Sequence, residues 1–137
     1  MARTRTAPAQ SVPVFRAEEF MASDGANMGD PLSFAAELIL DDVYELSFGT
    51  DPQRLSLLPL DATCFRLAND TQIGTAGAEV HLDCALTFMS PDGQINEALL
   101  LVEVDTDGAA EAIYLLPLTA LTSKTEYRLV GIDTKTA

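Results

Sequence analysis

Val80–Met89 reads VHLDCALTFM, and its alternation decides the fold. Val80, Leu82, Cys84, Leu86 and Phe88 occupy every second position, with His81, Asp83, Ala85 and Thr87 between them. Successive side chains of a strand point to opposite faces, so the pattern predicts a half-buried β-strand, Cys84 on its apolar face and His81 toward solvent. Ser90-Pro91-Asp92-Gly93 follows, with proline preset for the second turn position and glycine at the fourth, so the chain reverses into Ile95–Asp105. Leu99–Val102 is continuously apolar, which predicts a central strand covered on both faces.

Working outward, Asp105-Thr106-Asp107-Gly108 is a second turn, Ala112–Leu118 (AIYLLPL) a third strand and Glu126–Asp133 (EYRLVGID) a fourth. The C-terminal half therefore reads as an antiparallel meander. Leu55–Leu60 and Cys64–Leu67 are short apolar pieces around Pro59 and Asp61; proline is confined to edges and bends, which predicts one kinked strand pair. Ala68–Ala78, with two glycines, reads as a surface loop, and Val43–Phe48 as a strand closed by Thr50-Asp51-Pro52. Val14–Met21 is ambiguous between helix and strand and ends at the Asp24-Gly25 turn.

One helix is expected. Asp30 can cap it, Pro31 suits the first helical position, and Leu32, Ala35, Ala36 and Leu38 fall near one face. No ten-residue helical pattern separates the strands. The expected fold class is mainly β, an antiparallel sandwich or partly open barrel with one short helix near residues 31–38. Residues 1–13 lack a periodic apolar face and read as a flexible N-terminal arm, leaving 14–137 as a single β-rich domain.

Eight basic residues stand against twenty-one acidic ones, a net charge of −13. Such a surface repels phosphate and anionic lipid within a Debye length of roughly 8 Å, so neither nucleic acid nor a membrane surface is an expected partner. A protein partner or self-association remains, because unpaired sheet edges invite pairing. No apolar run approaches the roughly 18 residues of a membrane span, and the basic start at Ala2–Arg5 is followed by Pro8, Gln10 and Ser11 rather than an apolar stretch. The default expectation is a cytoplasmic protein with Cys64 and Cys84 as reduced thiols, although unconventional secretion leaves no such signal.

Chemistry-bearing residues are few. Cys64 and His81 could pair as nucleophile and base, because a thiol needs an adjacent imidazole to ionise usefully near neutral pH. Buried structural cysteine is the preferred reading. Asp105, Asp107 and Asp83 or Asp92 could gather around calcium, yet the twelve-residue loop with its distal glutamate is missing. Asp41-Asp42 and Glu18-Glu19 are adjacent pairs that diverge in a strand and read as solvated faces. Gly74-Thr75-Ala76-Gly77 lacks the spacing and lysine of a phosphate loop. Phe15, Phe20, Phe34, Phe48, Phe65 and Phe88 are spread along the chain and read as core, with Tyr114 and Tyr127 expected at partly exposed positions. No catalytic, cofactor-binding or metal residue is assigned on these grounds.

Several stretches, taken together, resemble the N-terminal module that precedes the hedgehog/intein (Hint) domain in alphaproteobacterial proteins: Ser23–Asp30 (SDGANMGD), Leu32–Tyr44, Leu82–Gly93 (LDCALTFMSPDG), Leu101–Asp105 (LVEVD), Tyr114–Leu121 (YLLPLTAL) and Tyr127–Asp133 (YRLVGID). The resemblance covers the chain from about Val14. It implies a non-catalytic accessory or interaction module, with self-cleavage performed by a following Hint domain whose first cysteine takes the acyl group onto sulfur. Cys64-Phe65 is similar to the opening of a Hint block, but no Gly-Thr follows at the short spacing required, so none of that family's autoprocessing residues can be placed here. The alternatives are a small-ligand-binding or hydrolytic β-sandwich using Cys64 and His81, and a self-associating structural unit.

Overall fold

The two turns marked by aspartate and glycine, the first also by proline, fold the chain into three long antiparallel strands, β6 (Glu79–Met89), β7 (Ile95–Val104) and β8 (Ala110–Pro117). In the first turn the Gly93 amide donates to the Ser90 carbonyl at 2.9 Å and the Ser90 amide to the Gln94 carbonyl at 3.0 Å. The second turn repeats the pattern, Gly108 donating to Asp105 at 3.0 Å and Asp105 to Ala109 at 2.9 Å. The computed structural model describes residues 10–46, 53–60, 64–68, 76–119, 121 and 125–133. The expected Thr50-Asp51-Pro52 closure, Phe48, Asp61, most of the 68–78 loop and residues 1–9 of the arm lie outside the described residues.

The remaining strands are β1 (Gln10–Arg16), β2 (Phe20–Asp24), β3 (Val43–Leu46), β4 (Gln53–Pro59), β5 (Cys64–Leu67) and β9 (Glu126–Asp133). Six of the nine strands described close a ring in the order β6-β5-β4-β1-β8-β7, sealed by the β6–β7 ladder. The fold is thus mainly β, and the barrel is closed rather than partly open. Three further strands, β9, β3 and β2, extend from the far half of β6, where Ala85–Met89 pairs with β9 beyond the end of β5.

A bulge on β6 gives this barrel two cores. Leu82 opposes Leu101, but Cys84 opposes Leu100, so Asp83 is the extra residue. Inserting one residue reverses which face each later side chain takes. Val80 and Leu82 accordingly pack with Leu55, Leu57, Leu67, Leu101 and Tyr114, whereas Cys84, Leu86 and Phe88 pack with Phe20, Tyr44, Leu100, Leu115, Tyr127 and Leu129. The period-two pattern at Val80–Met89 is therefore real, yet it serves two cores in succession. The expected two-sided burial of Leu99–Val102 holds, with Leu100 and Leu101 both fully buried.

Four expectations change. The meander ends at β8, because β1 occupies its outer edge through Phe15↔Leu115 and Arg16↔Tyr114, and β9 instead joins β6 and β3. Gln10–Pro13, read as arm, pair with Arg54–Leu57; Pro13 is tolerated where β1 has β4 alone as neighbour among the described residues. The expected helix near 31–38 is a single 3-10 turn at Ala35–Glu37, since Pro31 is drawn into a bridge with Met21 and the Leu32 amide donates to the Phe20 carbonyl at 3.0 Å. Tyr114 and Tyr127 are buried, not partly exposed. The Tyr114 hydroxyl donates to Glu103 at 2.9 Å, which lets its ring enter the core, and Tyr127 joins an aromatic cluster with Phe20, Tyr44 and Phe88 at centroid distances of 5.4–6.5 Å.

Candidate functional site

Cys64, Glu79 and His81 converge where β5 meets β6. Cys64 opposes His81 directly in the antiparallel ladder, and Arg66 opposes Glu79. Glu79 and His81 are two residues apart on β6, so both lie on the outer face while Val80 between them enters the core. Cys64 Sγ stands 3.8 Å from Glu79 Oε1 and 3.9 Å from His81 Nε2, and His81 Nε2 stands 3.4 Å from Glu79 Oε1. The sulfur belongs to a residue only 9% exposed, whereas the Glu79 and His81 side chains are 46% and 45% exposed. The result is a three-donor cluster with a buried soft sulfur, a solvent-facing borderline nitrogen and a solvent-facing hard oxygen.

The bulge at Asp83 also corrects the placement of Cys84 relative to His81. Strict alternation sets them on opposite faces, yet His81 opposes Val102 and Cys84 opposes Leu100, two residues on one face of β7. Cys84 is nonetheless separate in its chemistry. Burial, reinforced by the neighbouring Asp83 charge, pushes its thiol up to about 12, so it stays protonated. No disulfide joins Cys64 to Cys84.

The other candidates resolve into structural roles. Asp105 accepts amide hydrogens from Asp107 at 2.8 Å and Ala109 at 2.9 Å, and the Ala109 bond foremost holds its carboxyl below the usual range. Asp92 accepts from the Ser90 hydroxyl and the Gln94 amide, with the same effect. These two aspartates cap turns at opposite ends of the ten-residue strand β7, roughly 30 Å apart at about 3.3 Å per residue, so they cannot share an ion. Glu18 and Glu19 lie beside Arg16 at 3.7 and 3.2 Å.

Asp42 is not a solvated residue as expected. It is 1% exposed and accepts from the Ala26 amide at 2.6 Å and the Asn27 amide at 3.2 Å. Asp41, by contrast, takes a left-handed backbone at φ 75° and is exposed. Gly74 and Thr75 lie outside the described residues.

Glu79 was missed by sequence reasoning. The signal that could have found it is its spacing of two from His81 on a predicted strand, which puts both on one face. The partnership with Cys64 depends on the β5–β6 register, a pairing that brings Cys64 to residues fifteen and seventeen positions away and that no local pattern announces. Glu79, but neither Cys64 nor His81, also borders an open cleft of about 400 Å³ with Glu103, Asp105 and Glu111. Other clefts, of about 330 Å³ at Val43, Met89 and Arg128 and about 220 Å³ at Asn27, Asp30 and Glu37, lie among different residues. No helix among the described residues is long and apolar enough to cross a membrane. No family model, curated protein or solved structure matches the chain.

Proposed function

We propose that this chain is a non-catalytic interaction module of the kind that precedes a Hint domain, and that it meets its protein neighbour through the segment 25–42 joining β2 to β3. One observation carries the reading: the strap is locked from within while presenting large apolar side chains outward. Asp42 holds the Ala26 and Asn27 amides, Asn27 Nδ2 donates to the Glu37 carbonyl at 3.0 Å, and Ser33 bonds the Glu37 carboxylate. Met28 is 65% exposed, Ile39 48% and Leu40 52%.

Ordering a loop costs conformational entropy, and a strap ordered before encounter does not incur that cost on binding. The residues of SDGANMGD and of Leu32–Tyr44 are the ones that build it, so the resemblance and the geometry meet on one element. Asp30 and Glu37 border the adjoining cleft, which suits a partner surface with an apolar centre and basic margin. A hydrolase at Cys64 and His81 is the weaker reading: Nε2 of His81 faces both the thiol and Glu79, so the carboxylate does not orient the imidazole from its far nitrogen as a triad requires.

The in-frame coding sequence after codon 137 is the first test. A Cys-Phe-x-x-Gly-Thr block opening a further domain is expected, and a stop codon there overturns the Hint assignment. With that domain produced separately, titration against this chain should show binding that M28S, I39S and L40S together weaken at least about tenfold, a loss of about 1.4 kcal/mol. Equal binding by the triple variant removes the strap from the interface.

A further inference from the structure

We propose that Cys64, Glu79 and His81 form a mononuclear site for a borderline divalent transition metal, with zinc the best match and a solvent water completing the coordination. The site is separate from the strap and does not depend on the interaction reading.

The donor atoms form a triangle with edges of 3.8, 3.9 and 3.4 Å. A point in that plane lies about 2.1 Å from every corner, within the roughly 2.0–2.3 Å spanned by zinc bonds to nitrogen, oxygen and sulfur. The edges are also close to those between ligands on a tetrahedral ion, so a metal can enter with small side-chain adjustments. Three protein donors leave one position open, and the half-exposed Glu79 and His81 place that position toward water.

Donor chemistry then selects the ion. Calcium and magnesium favour cages of oxygen, whereas a thiolate and an imidazole together favour zinc and its neighbours. The carboxylate and imidazole donors sit on one strand and the sulfur directly across the ladder, so little chain entropy is lost on closure. Glu103, Asp105 and Glu111 border the same cleft as Glu79 and, with a net charge of −13, raise the local concentration of cations.

Binding forms Sγ–metal, Nε2–metal and Oε1–metal bonds. The thiol proton leaves to solvent, the imidazole binds in its neutral form, and no electron is transferred.

Cobalt(II) is the probe, used on the full chain after removal of metal by chelation. The expected result is one-to-one binding with thiolate-to-cobalt charge-transfer absorption and the intense visible bands of four-coordinate cobalt, both displaced by one equivalent of zinc. C64S abolishes the charge-transfer band. E79Q and H81A, at half-exposed positions, weaken binding at least about tenfold, the loss that even an outer-shell partner costs. C84S leaves the titration unchanged, which separates the two thiols. Should C64S fail to fold, E79Q and H81A decide alone. Cobalt binding without a sulfur band, equal affinity in wild type, E79Q and H81A, or the absence of saturable binding overturns the site.

Discussion

Leu100 and Leu101 are consecutive on β7, both fully buried, and each packs into a different core. Leu100 pairs with Cys84 and Leu115, Leu101 with Leu82 and Tyr114. Truncating either to alanine removes apolar contact and leaves a cavity, so L100A and L101A should each cost about 3 kcal/mol in urea denaturation. The milder L100V and L101V, at about 1 kcal/mol each, allow a double-mutant cycle. Their effects should add to within about 0.5 kcal/mol because no packing partner is shared. A coupling well above that would mean that the two cores behave as one.

The strap between β2 and β3 rests on a close approach of Gly25 to Asp42. Gly25 has φ +103°, and a Cβ there would lie 2.1 Å from Asp42 Oδ1 and 2.9 Å from its Cα. Gly29 has a similar φ of +93° but nothing within 4 Å. G29A therefore carries backbone strain alone, about 1 kcal/mol, while G25A adds displacement of a carboxylate that holds two amides and should cost about 3 kcal/mol or more. D42A should approach G25A in effect. Thermal unfolding of the three variants side by side measures the order, and equal losses for G25A and G29A would remove the Asp42 contact from the explanation.

Much of the fold was legible because strand periodicity and turn chemistry are local. Val80–Met89 and the turns at Ser90–Gly93 and Asp105–Gly108 depend on residues within a few positions of one another. What could not be read was set by distant partners: the bulge at Asp83 exists because β6 must serve two cores, and β9 leaves β8 because β1 already holds its edge. The site divides in the same way. Cys64 and His81 were weighed as a pair from residue type, but Glu79 entered only when the β5–β6 register aligned all three. Asp42 was misread as solvated because nothing in its neighbours announces the Ala26 and Asn27 amides sixteen and fifteen residues earlier.

Self-association through a sheet edge is testable against the way the strap covers β2. The Ala22 amide donates to Asp30 at 2.9 Å, Gly29 to Ala22 at 2.9 Å and Leu32 to Phe20 at 3.0 Å, so the outer edge of β2 is occupied by its own connection. The opposite end of the strand order closes on β6, and the stretch Gln10–Val14 of β1, with β4 alone as neighbour among the described residues, is blunted by Pro13. An occupied edge offers no template for a second chain. Light scattering should report the mass of one chain, and G29P, which removes one of these donors, should promote association. A stable wild-type dimer would restore the self-associating reading.

Alkaline pH should destabilise the protein through groups that folding keeps protonated. Burial, then the Asp83 charge, raises Cys84 to about 12 from an ordinary value near 9; burial, then Asp42, raises Tyr44 to about 12 from near 10. Burial and Glu103 raise Tyr114 further still. Between the unfolded and folded values the native state binds more protons than the unfolded chain, so the slope of unfolding free energy against pH is negative there. The stability is fully present below about pH 9 and is lost progressively as pH rises toward about 12. Urea midpoints measured from about pH 8 upward should fall across that window, and tyrosine ionisation followed by ultraviolet absorbance should lag free tyrosine until the fold opens. At about pH 8 a thiol reagent should modify Cys84 only after unfolding. A flat stability profile through this range, or rapid native modification of Cys84, would contradict the burial of Cys84 in the core it shares with Phe20, Tyr44 and Leu100.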